Sequence, residues 1–257
     1  MSASLAGIRP RHKIVIETMG TMATLTIASN VDADQASHAA HACEASLAGD
    51  DHRFSHYDER SEIMRWMNGA PIGEAARKDI HFVRDQCVLL EIASEGVFST
   101  IDPATGRLDT AGYAKGHAIG KAVQAVRYTG VHDFNINVGG DTFCSGRPDS
   151  KRTWSIGVAD PSRKRRVVAV LEVCDGAVAT SGAAERGSHI WNRRPSSSLL
   201  SFTVTGPDIA TADAYATIGF AMGESGIDWV GQHEGYSSLA IRGNGVVISD
   251  ARGLLAG

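Results

Sequence analysis

Thr211-Ala-Asp-Ala-Tyr-Ala-Thr217, which continues as Ile218-Gly-Phe-Ala-Met222, is the stretch that decides how this chain is interpreted. Alanine fills most of it, which favours a helix and lets another segment approach closely. Asp213 and Thr217 are four residues apart, so they lie on one helix face, one turn apart. A carboxylate and a hydroxyl aimed into a close-packed place can hold a hard cation such as Mg²⁺. The alternative is a solvent-facing Asp and a Thr bonded back to its own helix.

The length and composition of the chain indicate how many domains it has and which classes of protein it does not resemble. It has 257 residues, of which 43% are hydrophobic and 21% charged, and its net charge is −4. This length predicts one large domain, or two closely joined ones, over residues 1–257, with a sizeable core. A net acidic chain is a poor candidate for nucleic-acid binding. No run of about 18 apolar residues occurs, so no membrane span is predicted.

The cysteines and the first residues bear on location. Four cysteines, none in a C-x-x-C pair, indicate reduced and mostly buried thiols. The opening stretch, MSASLAGIRPRHKIVIE, has no apolar core of signal-peptide length. If the sequence is the whole protein, these features predict a cytoplasmic location.

The pattern of apolar residues predicts a mixture of strands and helices. Strands are predicted at 13–16, 21–27, 134–138, 154–158, 167–173, 200–204, 237–241 and 246–248, and helices at 31–48, 61–68, 75–94, 113–127, 211–222 and 227–232. Residues 50–58, 96–112 and 179–198 are predicted to be irregular. Because the elements do not alternate as βαβ units, the predicted fold class is α+β, with a mixed, largely antiparallel sheet and helices packed around it.

Three further segments could carry chemistry. Gly112-Tyr-Ala-Lys115-Gly116 opens a predicted helix, where a lysine can meet a phosphate; the alternative is a surface lysine. Asn137-Val-Gly-Gly-Asp141 ends a strand, so a ligand can lie against the glycines, or they form a plain turn. His189 could act as an acid or base near pH 7, or be a solvated loop residue. The common dinucleotide, P-loop, zinc-protease and hydrolase motifs are absent from the sequence.

The order of these segments resembles that of the ApbE-type FAD:protein FMN transferases, in a short branch without a signal sequence. The resemblance extends from Met19 to about Tyr236. Its most specific motifs are Ala179-Thr-Ser-Gly182, Asn137-Val-Gly-Gly-Asp141 and Ala212-Asp-Ala-Tyr-Ala-Thr217. Weaker matches are Met19-Gly-Thr21, Phe54-Ser55, Ser61-Glu62, Gly96-Val-Phe98, Asp109 to Lys115-Gly116, Trp154 to Pro161 and His189-Ile190.

The resemblance implies an ApbE-like fold in a single flavin transferase domain, and an Mg²⁺-dependent enzyme whose substrate is FAD. Such enzymes move the FMN part of FAD onto a Thr or Ser hydroxyl of an acceptor flavoprotein, forming a phosphoester and releasing AMP. By position, the implied metal ligands are Gly112, through its carbonyl, Asp213 and Thr217. The implied FAD contacts are Met19, Tyr57, Phe98, Asp109, Lys115, Gly139 and Gly140. The implied catalytic residues are His189 and Asp213. Of these, His189 is implied to assist proton removal from the acceptor hydroxyl.

Three departures from the family pattern keep other activities open. Phe98 is followed by Ser99 instead of Asp, Gly120 replaces a later Asp, and Trp191-Asn-Arg-Arg-Pro195 replaces the usual Asp-Pro-x-Thr-Gly. These changes fall around the expected nucleotide pocket and the acceptor side, and they leave Asp213 and Thr217 intact. An FAD pyrophosphatase that yields FMN and AMP, and a non-catalytic FAD-binding protein, are therefore the alternatives.

Overall fold

A computed structural model describes residues 12–28, 31–163, 166–182 and 199–250 of the chain. The strands are β1 (His12–Thr18), β2 (Thr21–Ile27), β3 (Phe134–Val138), β4 (Asp141–Ser145), β5 (Trp154–Ala159), β6 (Val167–Val173), β7 (Gly176–Gly182), β8 (Leu199–Gly206), β9 (Ser237–Arg242) and β10 (Val247–Ser249). The helices are α1 (Ala33–Phe54), α2 (Glu62–Met67), α3 (Glu74–Ala93), α4 (Ala111–Tyr128), α5 (Ile209–Met222) and α6 (Ser225–Gly231).

One sheet of eight strands forms the base of the fold. Its strand order is β1-β2-β3-β4-β7-β8-β9-β10, and β5 and β6 form a separate hairpin. All strand pairs among the described residues are antiparallel. Alternate residues of a strand point to opposite faces. Thus Ala177 and Ala179 of β7 face the helices, while Val178 packs against Val158 and Leu171 of the hairpin.

Helix α5 lies in the middle of the structure and is buried on nearly its whole circumference. It begins at the cap residue Asp208, whose carboxylate accepts a hydrogen bond from the Thr211 N–H at 2.8 Å. One side packs in the core between the sheet and helices α1 and α4 through Ala212, Ala216 and Phe220. The other side packs with residues of α3 and α4 through Ala210, Ala214 and Ile218. The alanine-rich sequence thus serves two packing layers at once.

Helices α4 and α5 cross in close contact at Gly116. A Cβ atom built on Gly116 would lie 2.6 Å from the Ala210 Cα and 2.9 Å from the Ile209 carbonyl oxygen. Real Cβ atoms do not approach backbone so closely, so only glycine permits this crossing. One turn further along α4, a Cβ on Gly120 would meet only the Ile209 Cγ2, at 3.6 Å. The close approach is therefore localised to Gly116.

A network of charged side chains joins α4 to α1 and α3. Lys121 Nζ lies 2.6 Å from the buried Asp50 and 2.7 Å from Asp79. His117 and Arg53 also contact Asp79, at 2.9 and 2.8 Å. Burial raises the pKa of Asp79, but the hydrogen bonds from His117 and Lys121 outweigh that effect and hold the pKa well below its usual range. The Asp79 carboxylate is thus stabilised in its charged form.

The predicted fold class is confirmed, because the structure is α+β with a largely antiparallel sheet. The predicted strand at 167–173 matches β6, and the helix at 211–222 matches α5 except for two residues at its start. No helix in the described parts of the chain is long and apolar enough to cross a membrane. Whether residues 1–257 fold as one domain or as two joined subdomains stays a prediction.

Three local predictions are wrong. Residues 50–54, predicted to be irregular, are the last residues of α1, where their polar side chains bind α4 and the turn after β1. Strand β4 was not expected, because it is buried on both faces and has no alternating pattern. Strand β7 extends into the predicted loop at 179–198, since pairing with β4 and β8 overrides the weak strand preference of its small residues. Residues 183–198 lie outside the described residues.

The crossing of α4 and α5 can be tested with two matched substitutions. Gly116→Ala should destabilise the protein by about 1–3 kcal/mol, because the added methyl group meets backbone that cannot move aside. Gly120→Ala should instead be neutral or stabilise it by up to about 1 kcal/mol, the helix preference of alanine over glycine. Urea denaturation of both variants measures the difference. Equal effects of the two substitutions would contradict the assigned crossing point.

The network around Asp79 should make stability depend on pH. Because the folded-state pKa lies below the ordinary 3.8, the carboxylate contributes stability above that pH and loses it as the pH falls further. Asp79→Asn should cost about 1–2 kcal/mol at pH 7, a figure lowered for solvent screening of a partly exposed group. The deficit should shrink as the pH is lowered below 4, measured by denaturation across pH. Asp85→Asn, which removes an exposed carboxylate from the same helix, is the control and should show little change.

Candidate functional site

Gly112 and Thr217 line one small cavity, although about a hundred residues separate them. The cavity measures about 10 Å³, and its walls include Phe98, Ser99 and Asp109. The Phe98 ring covers Gly112 so closely that a Cβ there would lie 2.7 Å from a ring carbon. The family resemblance implied that Gly112, Asp213 and Thr217 share one cation; Gly112 and Thr217 line this cavity, and Asp213 is not among its lining residues. The cavity is of the size of a single water molecule or metal ion.

Lys115 lies one turn along α4 from Gly112 and points between two buried carboxylates. Its ammonium group is in direct contact with Asp141 and is 3.5 Å from the Oδ1 atom of Asp213. The Asp141 side chain is 0% exposed and that of Asp213 is 6% exposed. A buried carboxylate needs an opposite charge or hydrogen bonds close to it. Lys115 supplies that charge to both groups at once.

Strand β7 supports the same place from the sheet side. The Thr180 N–H donates to the Asp141 Oδ1 at 2.9 Å, which fixes that carboxylate. The hydroxyls of Ser181 and Thr217 are 3.1 Å apart. The motif Ala179-Thr-Ser-Gly182 is therefore in contact with both the carboxylate and the hydroxyl side of the site.

Two sheet turns lie next to each other at the same end of the sheet as Asp141. Met19 and Gly139 have positive φ angles of 49° and 58°, and the Gly139 N–H donates to the Met22 carbonyl at 3.4 Å. The Met19 N–H donates to Asp51 at 2.9 Å, so the first turn is tied to the end of α1. Gly140, with φ of 104°, completes the second turn directly before Asp141. The structure thus brings Met19, Gly139 and Gly140 to one edge.

The connection after α1 is held against the loop that carries Asp109. The His56 Nε2 atom is 3.1 Å from the Thr110 hydroxyl, and the Thr110 N–H points to the same nitrogen at 3.4 Å. Tyr57, the next residue, is 77% exposed.

The thiol of Cys87, on α3, lies near Asp109. Burial, and then the charge of Asp109, raise the pKa of Cys87 to about 12, so this thiol is neutral at pH 7.

Sequence reasoning missed two of these contacts. In the sequence Asp141 marks the end of a glycine turn, and nothing local indicates its burial, because its partner Lys115 belongs to another element. His56 gave no signal, because its partner Thr110 is 54 residues away. His189 falls outside the described residues, so its catalytic role stays a prediction. Ser99, where the resemblance implied an Asp, lines the cavity, and its hydroxyl donates to the Ile101 carbonyl at 2.8 Å.

The donor atoms fit a hard divalent cation better than a soft one. The site offers the Asp213 carboxylate and, one helical turn away, the Thr217 hydroxyl beside the Gly112 backbone, and Mg²⁺ prefers such oxygen donors. Among the residues that the structure describes, no group of three or more His, Cys, Asp or Glu side chains is placed to hold a metal. A cation bound here would thus have one carboxylate ligand and depend on other oxygens. Occupancy and metal identity stay predictions.

Solved structures with the same fold include an ApbE protein and two flavin transferases. The ApbE protein of Thermotoga maritima is 21% identical, with a TM-score of 0.76 over 94% of this chain and 97% of its own. The flavin transferase ApbE of Vibrio cholerae is 18% identical, with a TM-score of 0.73 over 95% and 98%. The flavinyl transferase ApbE of Pseudomonas stutzeri, in its apo form, is 17% identical, with a TM-score of 0.73 over 95% and 96%. At such identities, these likenesses establish the fold.

The fold and its side-chain contacts define an α+β protein with a charged site built around Lys115 and the carboxylates of Asp141 and Asp213. The family model named ApbE family matches residues 100–240, more than half of the chain. The chain therefore belongs to the ApbE family. No curated protein matches it.

Proposed function

We propose that this protein is an FAD:protein FMN transferase, which moves the FMN part of FAD onto a Thr or Ser hydroxyl of an acceptor protein with the help of Mg²⁺. Membership of the ApbE family supports the reaction class. The observation that carries the proposal is that Gly112 of α4 and Thr217 of α5 line one cavity, while Lys115 of α4 lies 3.5 Å from Asp213 of α5. A cytoplasmic location stays a prediction from the sequence.

In the proposed reaction the hydroxyl oxygen of the acceptor attacks the phosphorus atom of the FMN half. The bond from that phosphorus to the bridging oxygen breaks, AMP leaves with the bridging oxygen, and the hydroxyl gives up its proton. A bound Mg²⁺ would supply charge neutralisation of the pyrophosphate. His189 is the residue proposed to assist removal of the proton.

In the proposed reaction, the described residues would bind the cation, the phosphates and the flavin. Asp213 and Thr217 would hold the cation, because they present a carboxylate and a hydroxyl from one face of α5. Lys115 would add positive charge beside the phosphates, where α4 and α5 meet. The turns at Met19 and at Gly139-Gly140 leave backbone against which a flat ring or a phosphate can lie. Phe98 and Tyr57 would offer ring faces to the flavin nucleotide.

The proposal is tested by incubating the protein with FAD, Mg²⁺ and a Thr-containing acceptor protein. We expect covalently fluorescent acceptor and an equal amount of AMP, measured by gel fluorescence and chromatography. Asp213→Ala should abolish both products. Thr217→Val should lower cation affinity by about tenfold or more, while Thr217→Ser, which keeps the hydroxyl, should retain most of it. Asp208→Asn is the matched control, since it removes a carboxylate from the same helix but keeps a good capping residue.

Each alternative activity has its own outcome in this experiment. FMN and AMP formed in the absence of any acceptor would identify an FAD pyrophosphatase. Tight FAD binding without AMP under any divalent cation would identify a non-catalytic flavin-binding protein. Transfer that is unchanged in Asp213→Ala would contradict the assigned role of α5.

A further inference from the structure

The ammonium group of Lys115 lies close to the carboxylate of Asp213, which is the proposed ligand of the cation. Its ammonium group is 3.5 Å from the Asp213 Oδ1 and in direct contact with Asp141. A divalent cation that binds the Asp213 carboxylate would come within a few ångströms of this ammonium group, and like charges at such distances repel strongly away from bulk water. Lysine and cation therefore cannot share Asp213 without a rearrangement.

Asp141 offers the ammonium group a second carboxylate. It is the more deeply buried of the two, with 0% exposure, and the Thr180 N–H holds it in place at 2.9 Å. Lys115 has a flexible four-carbon stem, while its backbone is fixed by the crossing of α4 and α5 at the next residue, Gly116. The ammonium group can thus move away from Asp213 without leaving Asp141.

We propose that Lys115 is a built-in competitor of the divalent cation at Asp213, and that Asp141 is the positioning residue that receives the ammonium group when the cation binds. This inference rests on the proposed cation site and goes beyond it, because it assigns the strength of cation binding to a lysine that is not a ligand. In the cation-free protein, Lys115 offsets the charge of both carboxylates. In the cation-bound protein, it offsets that of Asp141 alone.

The test is direct titration of FAD-free protein with Mn²⁺, followed by calorimetry. Lys115→Met alone would leave Asp141 buried with its charge uncompensated, so that variant risks misfolding. The double variant Lys115→Met/Asp141→Asn avoids this by removing the pair together, and it leaves the net charge of the site unchanged. We expect the double variant to bind Mn²⁺ roughly tenfold more tightly than the wild type, because the competitor is gone. Asp141→Asn alone should weaken binding, since Lys115 then pairs with Asp213 only.

Lys121→Met is the matched control. Lys121 is also on α4 and also bridges two carboxylates, Asp50 and Asp79, but it belongs to the network with α1 and α3. Its replacement should leave Mn²⁺ affinity unchanged, and a tightening equal to that of the double variant would overturn the proposal, because the effect would then not be specific to the lysine beside Asp213. Circular dichroism of every variant verifies that it is folded.

The remaining outcomes separate this inference from the proposed function. If Mn²⁺ binding requires Asp213 but the double variant binds Mn²⁺ no more tightly than the wild type, the proposed competition is wrong. The proposed cation site at Asp213 is then retained. A double variant weaker than the wild type overturns it as well and makes Asp141 a contributor to cation binding. Absence of Mn²⁺ binding in both the wild type and the double variant, or binding that persists in Asp213→Asn, removes the cation site and the competition together.

Discussion

The backbone contact between α4 and α5 at Gly116 is the constraint on which the rest of the structure depends. With the Ala210 Cα only 2.6 Å from where a Cβ would be, the two helices are as close as their backbones allow. The residues on either side of that contact are brought together as a consequence. Lys115 precedes Gly116 directly, and Asp213 follows Ala210 by three residues, nearly one helical turn. The ion pair between them is therefore a product of backbone geometry, which a single added methyl group would disturb.

Helix α4 uses its lysines in two different ways. On one side Lys121 binds Asp50 and Asp79, and His117 and Arg53 complete the contacts of Asp79. Those carboxylates are matched by several donors, so the arrangement fastens α4 to its neighbours. On the other side Lys115 contacts two carboxylates, Asp141 on strand β4 and Asp213 on helix α5. A charge shared in this way is easier to redistribute, which is what the proposed cation site would require.

The sequence predicted what local pattern and small residues determine. Helix α5 and strand β6 were predicted to within two residues, and the family resemblance implied that Gly112 lies near Thr217, with which it lines one cavity. What it could not predict depends on partners distant in the chain. Strand β7 is made of small residues and exists because β4 and β8 pair with it. The local sequence around Asp141 indicates only a turn. Its partners, Lys115 of α4 and Thr180 of β7, come from elements distant in the chain.

A site with one carboxylate and one hydroxyl is a weak cation site by itself, and this weakness agrees with the proposed reaction. Mg²⁺ is commonly held by one or two carboxylates together with substrate phosphates, because it gives up its waters reluctantly and needs further oxygens. A pyrophosphate would bring those oxygens, and its negative charge would also give the Lys115 ammonium a favourable neighbour once Asp213 is occupied. Cation and nucleotide would then bind more strongly together than either does alone. Without the nucleotide, Lys115 would lower the affinity for the cation; with the nucleotide bound, it would offset the negative charge of the pyrophosphate. The binding of each would then depend on the binding of the other.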